Sequence, residues 1–67
     1  MKNRIKVERA ELNITQQQLA QKIGVSRQTI NAMELGKYVP STMLALRLSE
    51  VFGKSVNEIF SLEEDEK

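Results

Sequence analysis

The side chains able to do chemistry in this chain are carboxylates, amides, hydroxyls and a set of lysines and arginines. There is no Cys and no His among the 67 residues. That excludes disulfides, thiolate or imidazole metal sites and a histidine general base. Catalysis would have to run on carboxylates alone. No convergent titratable cluster is evident, and a domain this small has little room for a water-excluding pocket, so an enzyme is not expected. The polar residues that do concentrate lie between Thr15 and Gly36, where Gln16, Ser26, Arg27, Gln28, Thr29 and Asn31 are interleaved with apolar positions. Amides, hydroxyls and a guanidinium are suited to hydrogen-bonded recognition rather than to bond breaking.

Such side chains need elements to position them, and the pattern is helical throughout. Ile5, Arg9 and Leu12 fall at i, i+4 and i+7, one stripe of a first helix from about Asn3 to Glu11 or Leu12. Asn13 tolerates the left-handed backbone that stops a helix. Thr15 with Gln18 makes a capping-box pattern opening a second helix over about 16–23, with Leu19, Ala20 and Ile23 inward. Gly24 closes it. Ser26 caps a third helix over about 27–35, with Ile30 and Met33 inward and Gly36 as its stop. Lys37-Tyr38-Val39-Pro40 reads as a loop. Ser41 caps a fourth helix over about 42–52, carrying Leu44, Ala45, Leu48, Val51 and Phe52. Gly53 ends that helix. Ser55 caps a fifth, from Val56 to about Leu62, and no strand is expected.

The length allows one domain, over 1–62, with an acidic stretch at 63–67 expected to fray. With neither disulfide nor metal, a chain of this size must rely on helix packing, a partner subunit, or both. The net charge of +1 hides a segregation: residues 1–54 hold nine Lys/Arg against four Glu, and residues 55–67 hold five acids against Lys67. A basic body facing a polyanion, with the acids kept away from it, fits that distribution, as does an ordinary charged surface. No segment reaches the roughly 20 apolar residues of a membrane span. The basic start, Met1-Lys2-Asn3-Arg4-Ile5-Lys6, lacks the apolar run of a secretory signal. A cytoplasmic home is expected.

Helix, short turn around Gly24-Val25-Ser26, helix is the helix-turn-helix layout. Its conditions hold together: small Ala20 mid-way along the first of the pair, Gly24 opening the turn, and Val25, Ile30 and Met33 pinning the second helix from behind. The run Thr15-Gln16-Gln17-Gln18-Leu19-Ala20-Gln21-Lys22-Ile23-Gly24-Val25-Ser26-Arg27-Gln28-Thr29-Ile30-Asn31 resembles the Xre family, the phage Cro and repressor type of helix-turn-helix domain. Met33 to Ser41 and Phe52-Gly53-Lys54-Ser55-Val56 match as well, so the resemblance covers about residues 3 to 60. It implies an all-α, five-helix, lambda-repressor-like domain that binds double-stranded DNA through the major groove. The implied role is a transcription regulator, foremost a repressor bound as a homodimer to a palindromic operator, with no cofactor or small-molecule ligand.

The resemblance also assigns roles. Gln16, opening the second helix, would contact a phosphate and brace the recognition helix, at a helix start where free N–H groups attract anions. Arg27, Gln28 and Asn31, with Ala32 on the same face, would reach base edges. Arg27 matches guanine O6 and N7, Gln28 and Asn31 match adenine N6 and N7, and the Ala32 methyl can meet a thymine methyl. Ser26, Thr29, Lys37, Tyr38 and Ser41 are suited to phosphate, while Lys2, Lys6 and Arg47 read as solvated surface. Arg9 and Glu34 stand where the family commonly has an ion pair tying helices together. Two positions depart from the family's habit, Leu35 before the helix-ending Gly36, and Lys54 where a small apolar anchor for the fifth helix is usual. Phe60 and Leu62 exceed what so short a last helix must bury, and are the expected dimer contact. A module that binds another protein instead would carry apolar or acidic residues on the outer face of the third helix, and Arg27, Gln28 and Asn31 argue against that.

Overall fold

Four helices open on a hydroxyl that accepts the backbone N–H three residues further on: Thr15, Ser26, Ser41 and Ser55. Each such cap stabilises its helix by about 1 kcal/mol. In the computed structural model, which describes all 67 residues, they begin α2 (Gln16–Ile23), α3 (Arg27–Glu34), α4 (Thr42–Phe52) and α5 (Val56–Ile59). The Thr15/Gln18 capping box is complete, and Ser55 and Glu58 form a second one. The first helix, α1, spans Ile5–Glu11. It ends where Asn13 adopts φ 59°, as its residue type suggested.

The turn between α2 and α3 depends on Gly24. Its φ of 75° is left-handed, a region that a Cβ disfavours. This reversal lets the Val25 N–H reach the Ala20 carbonyl at 3.0 Å and sends the chain back across α2. α2 and α3 make the most extensive helix–helix contact in the molecule. One core gathers Ile5, Leu19, Ala20, Ile23, Ile30, Met33, Leu44, Leu48, Phe52, Ile59 and Phe60. The inward residues expected for α2 and α3 are therefore all used. No helix is long and apolar enough to cross a membrane.

The edges of the fold differ from expectation. The first helix starts at Ile5, because Lys2–Asn3 form a strand, β1, paired antiparallel with a second strand, β2 (Phe60–Ser61), in the register Lys2↔Ser61 and Asn3↔Phe60. The fifth helix accordingly stops at Ile59 rather than continuing to Leu62. Asn3 donates through Nδ2 to the Met33 carbonyl at 2.8 Å and accepts the Ile5 N–H on Oδ1 at 3.2 Å, tying the end of α3 to the start of α1. Phe60, expected to face a second copy, is instead in the core of the single chain, because the strand turns its side chain inward. Leu62 remains exposed.

Three further side chains sit otherwise than expected. Leu12 is exposed, and Glu8 takes the buried place on α1. The Glu8 carboxylate is held by Lys54 Nζ at 3.2 Å and Arg4 Nε at 3.5 Å. Lys54 therefore replaces an apolar anchor with an ion pair between α1 and the α4–α5 turn. Arg47 is not simply solvated: its Nη1 donates to the Ile23 carbonyl at 3.1 Å and so caps the C-terminal end of α2. The acidic end forms a 3-10 turn, Glu64–Glu66, closed by the α-ammonium of Met1 at 3.0 Å from Glu66. That contact raises the ammonium pKa. The Glu66 pKa is lowered by the Glu63 backbone N–H first and by the ammonium second.

Candidate nucleic-acid interface

α3 is anchored from behind and open in front. Ile30 and Met33 are sealed in the core, while Arg27, Gln28 and Asn31 are exposed. Positions i, i+1 and i+4 share one side of a helix, so these three side chains stand together. Ala32 is half-buried at the margin of that face. An α-helix with its side chains is about 10–12 Å across, and the major groove of B-DNA is about 12 Å wide.

Behind this face lies a connected set of hydrogen bonds. Arg9 reaches Glu34 through Nε at 3.0 Å and Nη2 at 3.4 Å, and its Nη1 donates to the Ile14 carbonyl at 3.1 Å. The expected Arg9–Glu34 pair is formed, and the Glu34 side chain is only 7% exposed. Gln16 joins it from the start of α2. Its Nε2 donates to Glu34 Oε1 at 3.2 Å and to Asn31 Oδ1 at 3.2 Å. Both amide hydrogens of Gln16 are thus engaged within the protein. What α2 still offers an anion are the backbone N–H groups of Gln16 and Gln17, which precede the first capped and helix-bonded donors. A shallow groove in front of them is lined by Arg9, Asn13, Gln16, Gln17 and Arg27.

The hydroxyls expected at phosphate also serve the helices. Ser26 Oγ accepts the Thr29 N–H at 3.1 Å and lies 2.9 Å from Thr29 Oγ1, so one of the two hydroxyl hydrogens is used between them and one is left. Ser41 Oγ accepts the Leu44 N–H at 3.2 Å and keeps its own hydrogen for donation. Lys37 and Tyr38 are exposed in the α3–α4 loop. Salt bridges engage Arg4, Arg9, Lys54 and Lys67, whereas Lys2, Lys6, Lys22, Arg27, Lys37 and Arg47 have no carboxylate partner. Glu63 and Glu66 face the Met1 ammonium, and Glu64 pairs with Lys67. Arg27, exposed at the start of α3, and Lys37, exposed in the loop after it, therefore keep their charges available to an anion.

The resemblance gave Gln16 as a brace for the third helix but did not name its partners, Asn31 and Glu34. The signal available was the presence of three amide or carboxylate side chains at the start of one helix and along another. Their meeting depends on the crossing of α2 and α3, which no local spacing reports.

Comparison with known proteins gives a consistent picture. A family model described as helix-turn-helix matches residues 5–59. An uncharacterized HTH-type transcriptional regulator of Methanocaldococcus jannaschii is 53% identical over 66 residues, covering 98% of this chain and 100% of that protein. One of Archaeoglobus fulgidus is 46% identical over 66 residues, covering 98% and 93%. YgzD of Bacillus subtilis, another such regulator, is 43% identical over 65 residues, covering 97% and 98%.

Proposed function

The chain belongs to the Xre-type helix-turn-helix family of transcriptional regulators, and from that premise we propose that it is a sequence-specific repressor that binds a palindromic operator as a homodimer. Arg27, Gln28 and Asn31 read base edges in the major groove, with Ala32 against a thymine methyl where the site provides one. Lys37, Tyr38, Ser41, the remaining hydroxyl hydrogen of the Ser26–Thr29 pair and the first N–H groups of α2 hold the flanking phosphates. The observation that carries this reading is the outer face of α3: three side chains rich in hydrogen-bonding groups stand exposed on a helix otherwise bonded into the fold.

A single recognition helix covers only about 3–5 base pairs, too few to single out an operator in a genome. Two copies related by a two-fold axis read two half-sites about 34 Å apart. With Phe60 inside the core, exposed Leu62 is the residue of the last segment that a second copy would cover. The protein works in the cytoplasm and represses by occupying a promoter.

Selection of bound sequences from random duplexes, with affinity measured against salt, tests the proposal. The expected result is a consensus with two-fold symmetry and an affinity that falls steeply as salt rises. A chain that ignores duplex at low ionic strength would overturn it.

A further inference from the structure

The last turn of α3 is tied down by Asn3, Arg9 and Gln16. Its first turn, carrying Arg27 and Gln28, joins the fold through residues 23–26. Two side chains fasten that bend to the rest of the molecule. Val25 packs against the core, and Arg47 of α4 donates through Nη1 to the Ile23 carbonyl at 3.1 Å. That carbonyl accepts no backbone N–H, because the left-handed Gly24 has already turned the chain out of α2. The same Nη1 lies 3.5 Å from where a Gly24 side chain would begin, so the guanidinium is seated over the bend itself. α4 is a firm base for it, with Leu44, Leu48 and Phe52 buried. No carboxylate pairs with Arg47, which leaves its charge for the negative end of α2. A hydrogen bond from a charged donor is about twice as strong as a neutral one.

Resting on the reading of α3 as a major-groove helix, we infer that Arg47 is a positioning residue for base reading: it fixes the bend from which Arg27 and Gln28 project toward the groove. Side chains at the start of a helix move with the turn that precedes it. Without the Arg47 bond, the Ile23 carbonyl turns to water and Val25 alone restrains the bend. The first turn of α3 then samples more orientations, and a two-point pairing with a base edge tolerates little of that. Asn31 stands one turn further along, where Gln16 holds it, so its base is read as before. Arg47 acts through the backbone of the turn, without itself touching DNA.

The test is selection from random duplexes by the full chain and by Arg47→Ala, with Arg27→Ala, Gln28→Ala and Asn31→Ala marking the base pair that each residue reads. Arg47→Ala is expected to lower the preference about tenfold at the positions of Arg27 and Gln28, within the range of one base contact, and to leave the position of Asn31 unchanged. Its affinity for a duplex lacking the consensus, and the slope of operator affinity against salt, should match those of the unaltered chain. Preference among bound duplexes does not depend on the fraction of chain that is folded, so a loss of stability alone does not imitate this pattern. Uniform weakening with a salt slope reduced by about 1 would make Arg47 a phosphate contact and overturn the inference. A consensus unchanged at every position, or blurred equally at all three, would overturn it too. A chain that selects no sequence at all overturns the reading of the domain instead.

Discussion

The two ends of α3 are treated in opposite ways. At its C-terminal end Asn3 donates to the Met33 carbonyl, the Lys37 N–H returns to the Ala32 carbonyl, and Glu34 is bound by Arg9 and Gln16. At its N-terminal end Arg27 and Gln28 are exposed and make no side-chain contact of this kind. Elsewhere the fold is thorough, for no buried side-chain nitrogen or oxygen lacks a partner. The exposed groups at the start of α3 contrast with that, since solvent is their only neighbour. The anchoring falls on one end of this short helix and the proposed recognition on the other, and substitutions should separate them.

The largest effect is expected at the anchored end. Glu34→Ala leaves Arg9 partly buried without its counter-charge, and losing one side of a buried pair costs roughly 3–5 kcal/mol. Denaturant unfolding should show that loss, and an unchanged midpoint would show that the pair contributes nothing. Asn3→Ala removes the donor to the Met33 carbonyl, at about 1–3 kcal/mol if that acceptor stays unsatisfied. Its duplex preferences should match those of the unaltered chain.

At the open end the order reverses. Arg27→Ala should leave stability within about 0.5 kcal/mol. It should remove about 1–3 kcal/mol of discrimination at one base pair per half-site. Equal weakening toward every sequence would break the division of labour between the two ends. Lys37→Ala sharpens it from the other side, with uniform weakening across sequences and a salt slope reduced by about 1.

The smallest effect lies far from both ends. The Glu58 pKa is lowered, chiefly by the backbone N–H of Ser55. Its folded value lies below the unfolded one, so its contribution is present above the ordinary glutamate range and is lost as pH falls through the folded value. Melting temperature should decline between about pH 5 and 3 in the unaltered chain, and more gently in Glu58→Gln, which keeps the cap but does not titrate in this range.

Much of the architecture was legible because it is written locally. Thr15 with Gln18, and the hydroxyls at 26, 41 and 55, mark helix starts through contacts three residues long. What escaped is non-local. Two strands of two residues each have no periodicity to detect, so Asn3 reads as helix and Phe60 as a spare apolar residue. Glu8 meets Lys54 from 46 positions away, and Gln16 meets Asn31 from 15. That Arg27, Gln28 and Asn31 share the exposed side of α3 was legible from helical phase; that Gln16 holds Asn31 was not, because it depends on how α2 and α3 cross.

The pairing of Lys2 with Ser61 has a kinetic side. Helices closed by near neighbours form early, whereas a contact across almost the whole chain must wait for loop closure and opens most readily once made. Amide hydrogen exchange should therefore find β1 and β2 exchanging through local fraying, while the amides of α2 and the core side of α3 exchange only on global unfolding. Each such opening releases the Met33 carbonyl and loosens the last turn of α3, while its first turn keeps the Ser26 cap. The domain can breathe at its seam without letting go of what it reads.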